Sequence, residues 1–428
     1  MRVIHISTFN DHGGAARSAH RLHAGLAALG IDSRMFVLYK ESHDPSILAY
    51  VPPMDLPTRL FRVVRRVLLR RALQKYRHSA PFGLANFCDD RTFYAGDPWK
   101  FIPDHDVINL HWVAGFLDFH AFFNSLPRQT PVVWTLHDMA PFTGGCHWNE
   151  TCPKFSQQCG ACPQLGSHRE SDWTRQVWKR KRTALANIPS RQLHIATPSR
   201  WLQEERRRSS LFSRFSGSVI PYGLDTEVFF PRDRRASREL LGLPPDAKII
   251  LFLAYGVHLP RKGLSILAEA LSGIAPRSAG VLVSVGPGDP PVPSTLSHMH
   301  LGAIQEDRIL SHVYSAADIF VAPSLHDNLP NTILESLACG TPVVAFDVGG
   351  IPDAVRPGVT GLLAKPGDPT SLRHAIAELL SDDQRRHEFS LNCRSIAIQE
   401  YSLGLQARRY VEVYKSMLTS VSGQRSGR

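Results

Sequence analysis

The opening of the chain restricts its fold more than any other stretch. Val3, Ile4 and Ile6 make a short apolar strand, residues 11–14 a turn, and residues 15–29 a helical apolar pattern that Gly30 ends. A second strand over 33–39 follows at once. Strand, helix and strand in so short a span specify a parallel sheet with a crossover helix. Further strands are expected over 107–110, 131–136 and 193–197. After Ser218 the pattern starts again. Val219-Ile220 closes a strand, residues 231–237 form a polar connector, and strands are expected over 248–254, 281–285, 318–322 and 342–346. Helices such as 262–271 and 331–338 alternate with them. Two αβ halves of about 200 residues each fit better than one long sheet. The expected domains are 1–217 and 218–402. A helix over 403–420, with Tyr410, Val411 and Tyr414 at helical spacing, and a Ser/Gly/Arg-rich tail over 421–428 that should fray complete the chain.

Composition narrows the function. Of 428 residues, 43% are hydrophobic and 20% charged, which is enough apolar material for a packed core and excludes wholesale disorder. Lys and Arg outnumber Asp and Glu by 49 to 38, and the excess of +11 attracts phosphate on nucleotides, nucleic acid or an anionic membrane. No apolar run approaches the ~20 residues of a membrane span. The N-terminus does not read as a signal peptide, and an odd count of seven cysteines suits a reducing compartment. The expected location is cytoplasmic, on the inner face of the plasma membrane.

The second half holds the strongest chemical signal. Asp327 and Glu335 lie eight residues apart, one in the loop after the strand at 318–322 and one inside the helix at 331–338. Backbone N–H groups at that helix start would suit an anion, and a carboxylate beside them would accept from sugar hydroxyls. The alternative is that Asp327 and Asn328 only cap the helix. Arg261-Lys262-Gly263 follows the strand at 248–254 and opens a helix. Two cations there suit a diphosphate, Arg as a planar fork and Lys as a mobile point charge. A solvated helix start is the plainer reading.

Gly13-Gly14 at the end of the first strand, Arg261-Lys262 and the run from Ser324 to Pro342 resemble the family 4 glycosyltransferases of the GT-B type. That family's E-x7-E motif falls where this chain reads Asp327-Asn328-Leu329-Pro330-Asn331-Thr332-Ile333-Leu334-Glu335. The resemblance spans nearly the whole length. It is similar to bacterial enzymes of exopolysaccharide, colanic-acid-like and O-antigen assembly, as are Trp134-Thr135-Leu136-His137-Asp138-Met139 and Gly144-Gly145-Cys146. One departure stands out: the first acid is Asp327 where the family has Glu, so the carboxylate reaches one methylene less.

The resemblance implies an α/β fold of two Rossmann-like domains facing across a cleft, with the last helix crossing back to the first domain. It implies a retaining, hexosyltransferase-type enzyme that needs no catalytic metal and uses a UDP- or GDP-linked sugar. Arg261 and Lys262 would hold the diphosphate and Glu335 the ribose. Asp327, with Asn328, Leu329, Pro330, Asn331 and Thr332, would hold the donor sugar. Gly13 and Gly14 would let the first loop approach the phosphates, and His137 would meet the sugar's reacting face. His137, Asp327 and Glu335 are therefore the candidate catalytic residues, and a lipid-linked oligosaccharide is the expected acceptor. Alternatives are another GT-B activity, such as an epimerase or phosphorylase, or a non-catalytic binding subunit of an assembly complex.

Two further features remain. Cys146, Cys152, Cys159 and Cys162 lie in a Gly/Pro-rich stretch and could wrap a structural tetrahedral Zn²⁺, with unlinked thiols or a disulfide as alternatives. Between Arg59 and His78 run Arg62, Arg65, Arg66, Arg70, Arg71, Lys75 and Arg77 without an acid. Leu60, Val64, Val67 and Leu68 share one helical face opposite most of the arginines, a pattern for an anionic membrane surface. A basic helix packed on the sheet is the alternative. A nucleic-acid groove lacks aromatic support, and Asp104-His105-Asp106 reads as a polar loop rather than a metal site.

Overall fold

Alternating strands and helices fill the chain, and the computed structural model describes residues 1–81, 84–274 and 280–422. They divide into two units: residues 1–220 with those from Ala407 onward, and Pro221–Gln406.

The first unit is built on seven parallel strands: β1 (Arg2–Phe9), β2 (Asp32–Tyr39), β3 (Ile47–Ala49), β4 (Val107–Leu110), β5 (Val132–Thr135), β6 (Leu193–Thr197) and β7 (Ser216–Val219). Their order is β3-β2-β1-β4-β5-β6-β7. Every residue of β4 and β5 is buried, as expected for strands covered on both faces. The helices are α1 (Gly13–Ala28), α2 (Leu56–Gln74), α3 (Phe119–Ser125), α4 (Trp173–Leu185) and α5 (Arg200–Arg208). The domain boundary expected at 217/218 falls inside β7. Pairing with β6 keeps that strand whole, and the chain divides after Ile220.

In the second unit the elements are α6 (Arg234–Leu240), β8 (Ile249–Leu253), α7 (Leu264–Ser272), β9 (Val281–Val285), β10 (His298–His300), α8 (Asp307–Ala316), β11 (Ile319–Ala322), α9 (Asn331–Ala338), β12 (Val343–Phe346), β13 (Gly361–Ala364), α10 (Pro369–Ser381) and α11 (Asp383–Tyr401). Its six parallel strands run β10-β9-β8-β11-β12-β13. Part of the expected polar connector is helical, because the Asp233 carboxylate accepts from the Ala236 N–H at 2.7 Å and caps α6. The helix expected from 262 starts at Leu264, since Gly263 sits in the left-handed region at φ +75°.

The last helix, α12 (Leu403–Ser422), begins in the second unit and from Ala407 belongs to the first. There Ala407, Tyr410, Tyr414 and Met417 pack with Leu22 and Leu26 of α1 over Val107 and Val133. Asn109 donates to the Tyr414 hydroxyl at 2.7 Å, and the Thr135 and Tyr410 hydroxyls pair at 2.9 Å. α12 runs two residues past its expected end at 420, and residues 423–428 of the expected tail lie outside the described residues.

Candidate active site

In the second unit the chain leaves β8 towards β9 on one side and β11 towards β12 on the other, so β8 and β11 flank the switch point where open αβ sheets bind ligands. The loop after β8 ends in a tight turn, Pro260–Lys262, which carries both cations. The loop after β11 carries Asp327. Leu325 N–H donates to the Arg261 carbonyl at 2.8 Å and ties the loops together. Gly263 makes this possible: a Cβ there would lie 1.9 Å from the Pro323 carbonyl oxygen.

The Lys262 ammonium donates to the Asp327 carboxylate in a largely buried ion pair. Burial pushes the Asp327 carboxyl up, but the Lys262 and Arg261 cations outweigh it and hold the group below its ordinary value. Asn328 N–H donates to the other carboxylate oxygen at 3.1 Å. The N-cap of α9 is Pro330, which offers no side-chain acceptor, so neither Asp327 nor Asn328 stands in the capping position. Asn328, Leu329 and Pro330 are buried, and Asn331 and Thr332 form the half-buried first turn of α9. Glu335 follows in the same helix, 2% exposed, and accepts from the Tyr314 hydroxyl at 2.9 Å. Two cations, an open helix start and two fixed acids suit an anion bearing hydroxyl groups. Sequence reasoning missed both the Lys262–Asp327 contact and Tyr314.

The first unit has its own switch point, between β1 and β4. Gly13 and Gly14 open α1 just beyond β1; Gly13 takes φ +85°, and the N-cap residue His12 makes no side-chain cap. His111 follows β4 and His137 follows β5, and they belong to a chain that the sequence did not reveal. His5 Nδ1 lies 3.0 Å from His111 Nε2, and His111 Nδ1 lies 3.2 Å from His137 Nε2. Burial lowers all three, His137 to about 3, so the imidazoles are neutral. His5 Nε2 is buried without a partner among the described residues. An orphaned N–H costs more than an orphaned lone pair, which favours protons on Nδ1 throughout and a neutral Nδ1–H on His137. His137, Asp138, His111 and Lys181 line one cavity of about 30 Å³. Asp138 turns to the backbone instead, accepting from Ala140 N–H at 2.8 Å.

Comparison with known proteins then decides the family. The chain is 31% identical over 335 residues to a D-inositol 3-phosphate glycosyltransferase of Corynebacterium urealyticum, a match covering 74% of this chain and 72% of that protein. The family described as Glycosyl transferases group 1 matches residues 247–382. The chain belongs to the group 1 glycosyl transferases. A D-inositol 3-phosphate glycosyltransferase of Corynebacterium glutamicum is 36% identical over 187 residues, 40% of this chain and 44% of that protein. The chain thus spans about half the length of several relatives it matches. These relatives are named for an inositol phosphate, where the sequence resemblance pointed to exopolysaccharide enzymes.

Solved structures share the fold of this group 1 glycosyl transferase. Sucrose-phosphate synthase of Thermosynechococcus elongatus superposes with a TM-score of 0.65 at 20% identity, covering 98% of this chain and 100% of that one. Anabaena HepE in complex with UDP-glucose gives 0.63 at 18% identity, covering 97% and 100%.

The remaining candidates of the glycosyl transferase lie in the first unit. Cys146, Cys152, Cys159 and Cys162 are unlinked and line one cavity. Among the described residues, no group of three or more His, Cys, Asp or Glu stands ready to hold a metal. Asp106 accepts from Arg2 Nη2 at 2.9 Å. The basic stretch is helical only to Gln74. Arg62 is the buried residue of α2; Arg65 donates to Thr92 O at 2.6 Å and to Asp118 at 2.7 Å, and Arg66 lies over the Phe93 ring. The apolar residues point outward, with Leu60 63%, Val64 50% and Leu68 60% exposed. The helix therefore packs through its arginine side, with Ala72 and Leu73 against the apolar cluster of Phe87 and Trp173, which agrees with the basic packed helix, while the apolar stripe faces out. Among the described residues, no helix is long and apolar enough to cross a membrane.

Proposed function

We propose that this chain transfers a hexosyl group from a nucleoside diphosphate sugar, with retention of configuration and without a catalytic metal. The acceptor is a lipid-linked oligosaccharide in the assembly of surface or extracellular polysaccharide, at the inner face of the plasma membrane. The observation that carries this reading is the Lys262–Asp327 pair beside the open start of α9. A cation for phosphate and an acid for hydroxyls touch each other, as the junction between a diphosphate and its sugar requires. Arg261 and Lys262 hold the diphosphate and offset the charge of the leaving group. Glu335 takes the ribose hydroxyls, and Asp327 with the 328–332 segment takes the sugar. His137 meets the reacting face of the sugar. The acceptor attacks from the leaving-group side, its proton passes to the donor phosphate, and no carboxylate nucleophile is needed. HepE, which has this fold, was solved with UDP-glucose, and that supports a uridine donor.

The outward apolar stripe of α2, flanked by Arg59, Arg70 and Arg71, supports an anionic membrane as the place where the acceptor is met. The names of the relatives favour a second reading, in which the acceptor is an inositol phosphate. Product formation from UDP- and GDP-sugars, with a polyprenyl-linked saccharide or inositol 3-phosphate as acceptor, separates the two. Product on the lipid acceptor alone supports the first reading. Product on inositol 3-phosphate alone replaces it with the second.

A further inference from the structure

We infer that Cys146, Cys152, Cys159 and Cys162 form a closed tetrathiolate site for one Zn²⁺, which orders the segment between β5 and α4. This segment, residues 136–172, contains no strand and only three tight turns, Ala140–Phe142, Lys154–Ser156 and Pro163–Leu165. A loop beyond about 12–15 residues without structure of its own is uncommon and needs a function or a fastening. Here the backbone is well fixed. A Cβ on Gly144 would lie 2.6 Å from the Thr174 carbonyl oxygen, and one on Gly160 would lie 2.4 Å from that of Glu170.

All four sulfur-bearing residues line one cavity of about 20 Å³, room for a single water-sized occupant and too small for an iron–sulfur cluster. Cys159-Gly160-Ala161-Cys162 has the C-x₂-C spacing of zinc knuckles, and the turn is held by φ +143° at Gly160 and +42° at Ala161. A backbone donor already points at one sulfur: Gly144 N–H donates to Cys159 Sγ at 3.1 Å. A neutral thiol is a weak acceptor, whereas a metal-bound thiolate is steadied by such outer contacts.

The neighbouring ammonium groups are directed elsewhere: Lys154 donates to the Gly160 and Ala161 carbonyls, and Lys181 to those of Ala140 and Thr143. As the side chains stand, the sulfurs are not yet in a coordinating arrangement. Loading therefore draws the four sulfurs together and releases their protons. Four thiolates leave no open position, which makes the ion structural and separates it from the transfer chemistry.

The test is metal analysis of the full-length protein purified without chelator, together with Co²⁺ substitution. The expected result is about one zinc per chain, thiolate-to-cobalt charge-transfer bands with tetrahedral d–d bands, and loss of both in Cys159→Ser/Cys162→Ser. Because that double variant could misfold, Cys152→Ser serves as the milder change, expected to hold zinc at least tenfold more weakly in a chain whose circular dichroism is unchanged. A folded wild-type protein with substoichiometric zinc that cannot be loaded, and with all four thiols freely titratable, would overturn the inference. So would a mass showing these cysteines joined as disulfides.

Discussion

Lys262 and Asp327 touch, so in the proposed site donor binding depends on a single charge pair. Replacing Lys262 with Ala leaves a carboxylate unpaired in a largely buried place, at a cost of about 1–3 kcal/mol in stability, and nucleotide affinity should fall about tenfold or more. Asp327→Asn should separate the steps: turnover falls at least tenfold, while binding of the bare nucleoside diphosphate, which lacks the sugar, changes less than threefold by calorimetry. Equal losses in both would remove Asp327 from the sugar. The two cations and two acids were legible because their chemical types recur at a fixed spacing around strands that read clearly. The His5–His111–His137 chain was not. Its first two members are 106 residues apart and meet only because β1 pairs with β4.

Those imidazoles also set a pH dependence. Each is neutral in the fold, with a pKa below the ordinary value near 6.5 that it regains on unfolding. The unfolded chain therefore takes up protons first. The stability they allow is fully present above about pH 6.5 and is lost as pH falls towards about 3 for His137, at up to ~1.4 kcal/mol per pH unit for each histidine. Urea denaturation of the wild type between pH 7.5 and 5 should show this slope, and His111→Gln should show a shallower one. Equal slopes would mean that His111 is not held neutral.

At the scale of elements, interior strands were readable as mostly apolar runs: β4, β6 and β9 match their expected bounds, and so does the helix α9. The edge strands β3 and β10 were not. β10 is His298–His300, and both of its imidazoles reach the Ser284 hydroxyl of β9 at 2.8 Å, so polar contacts replace the apolar pattern. The return of α12 to the first unit rests on hydroxyls buried over the sheet. Tyr414→Phe leaves the Asn109 amide donor without that partner and should cost about 1–3 kcal/mol, read as a lower urea midpoint at an unchanged m-value. The outward side of α2 makes the opposite prediction. Leu60→Asp/Val64→Asp alters exposed positions, so stability should stay within about 0.5 kcal/mol per site while binding to vesicles rich in anionic lipid drops severalfold. Unchanged vesicle binding would remove α2 from the membrane reading.

For the whole molecule, the division of labour follows the two sheets. The family match falls inside the second unit, where cations, acids and an uncapped helix start cluster at one switch point. The first unit carries the histidine chain, the cysteine loop and the outward helix, features that loops and long-range pairings build and that a sequence pattern shows only in fragments. A nucleoside diphosphate should bind at the β8/β11 switch point. Thermal unfolding with UDP, GDP, ADP and dTDP, on the native chain and on Arg261→Ala/Lys262→Ala, tests it most directly. Nucleotide at about 100 times its dissociation constant should stabilise the fold by roughly 2.7 kcal/mol, a rise of a few degrees. The rise is expected with one base, UDP first, and should be lost in the double variant. No rise with any of the four, or an equal rise in the variant, would contradict binding at that switch point.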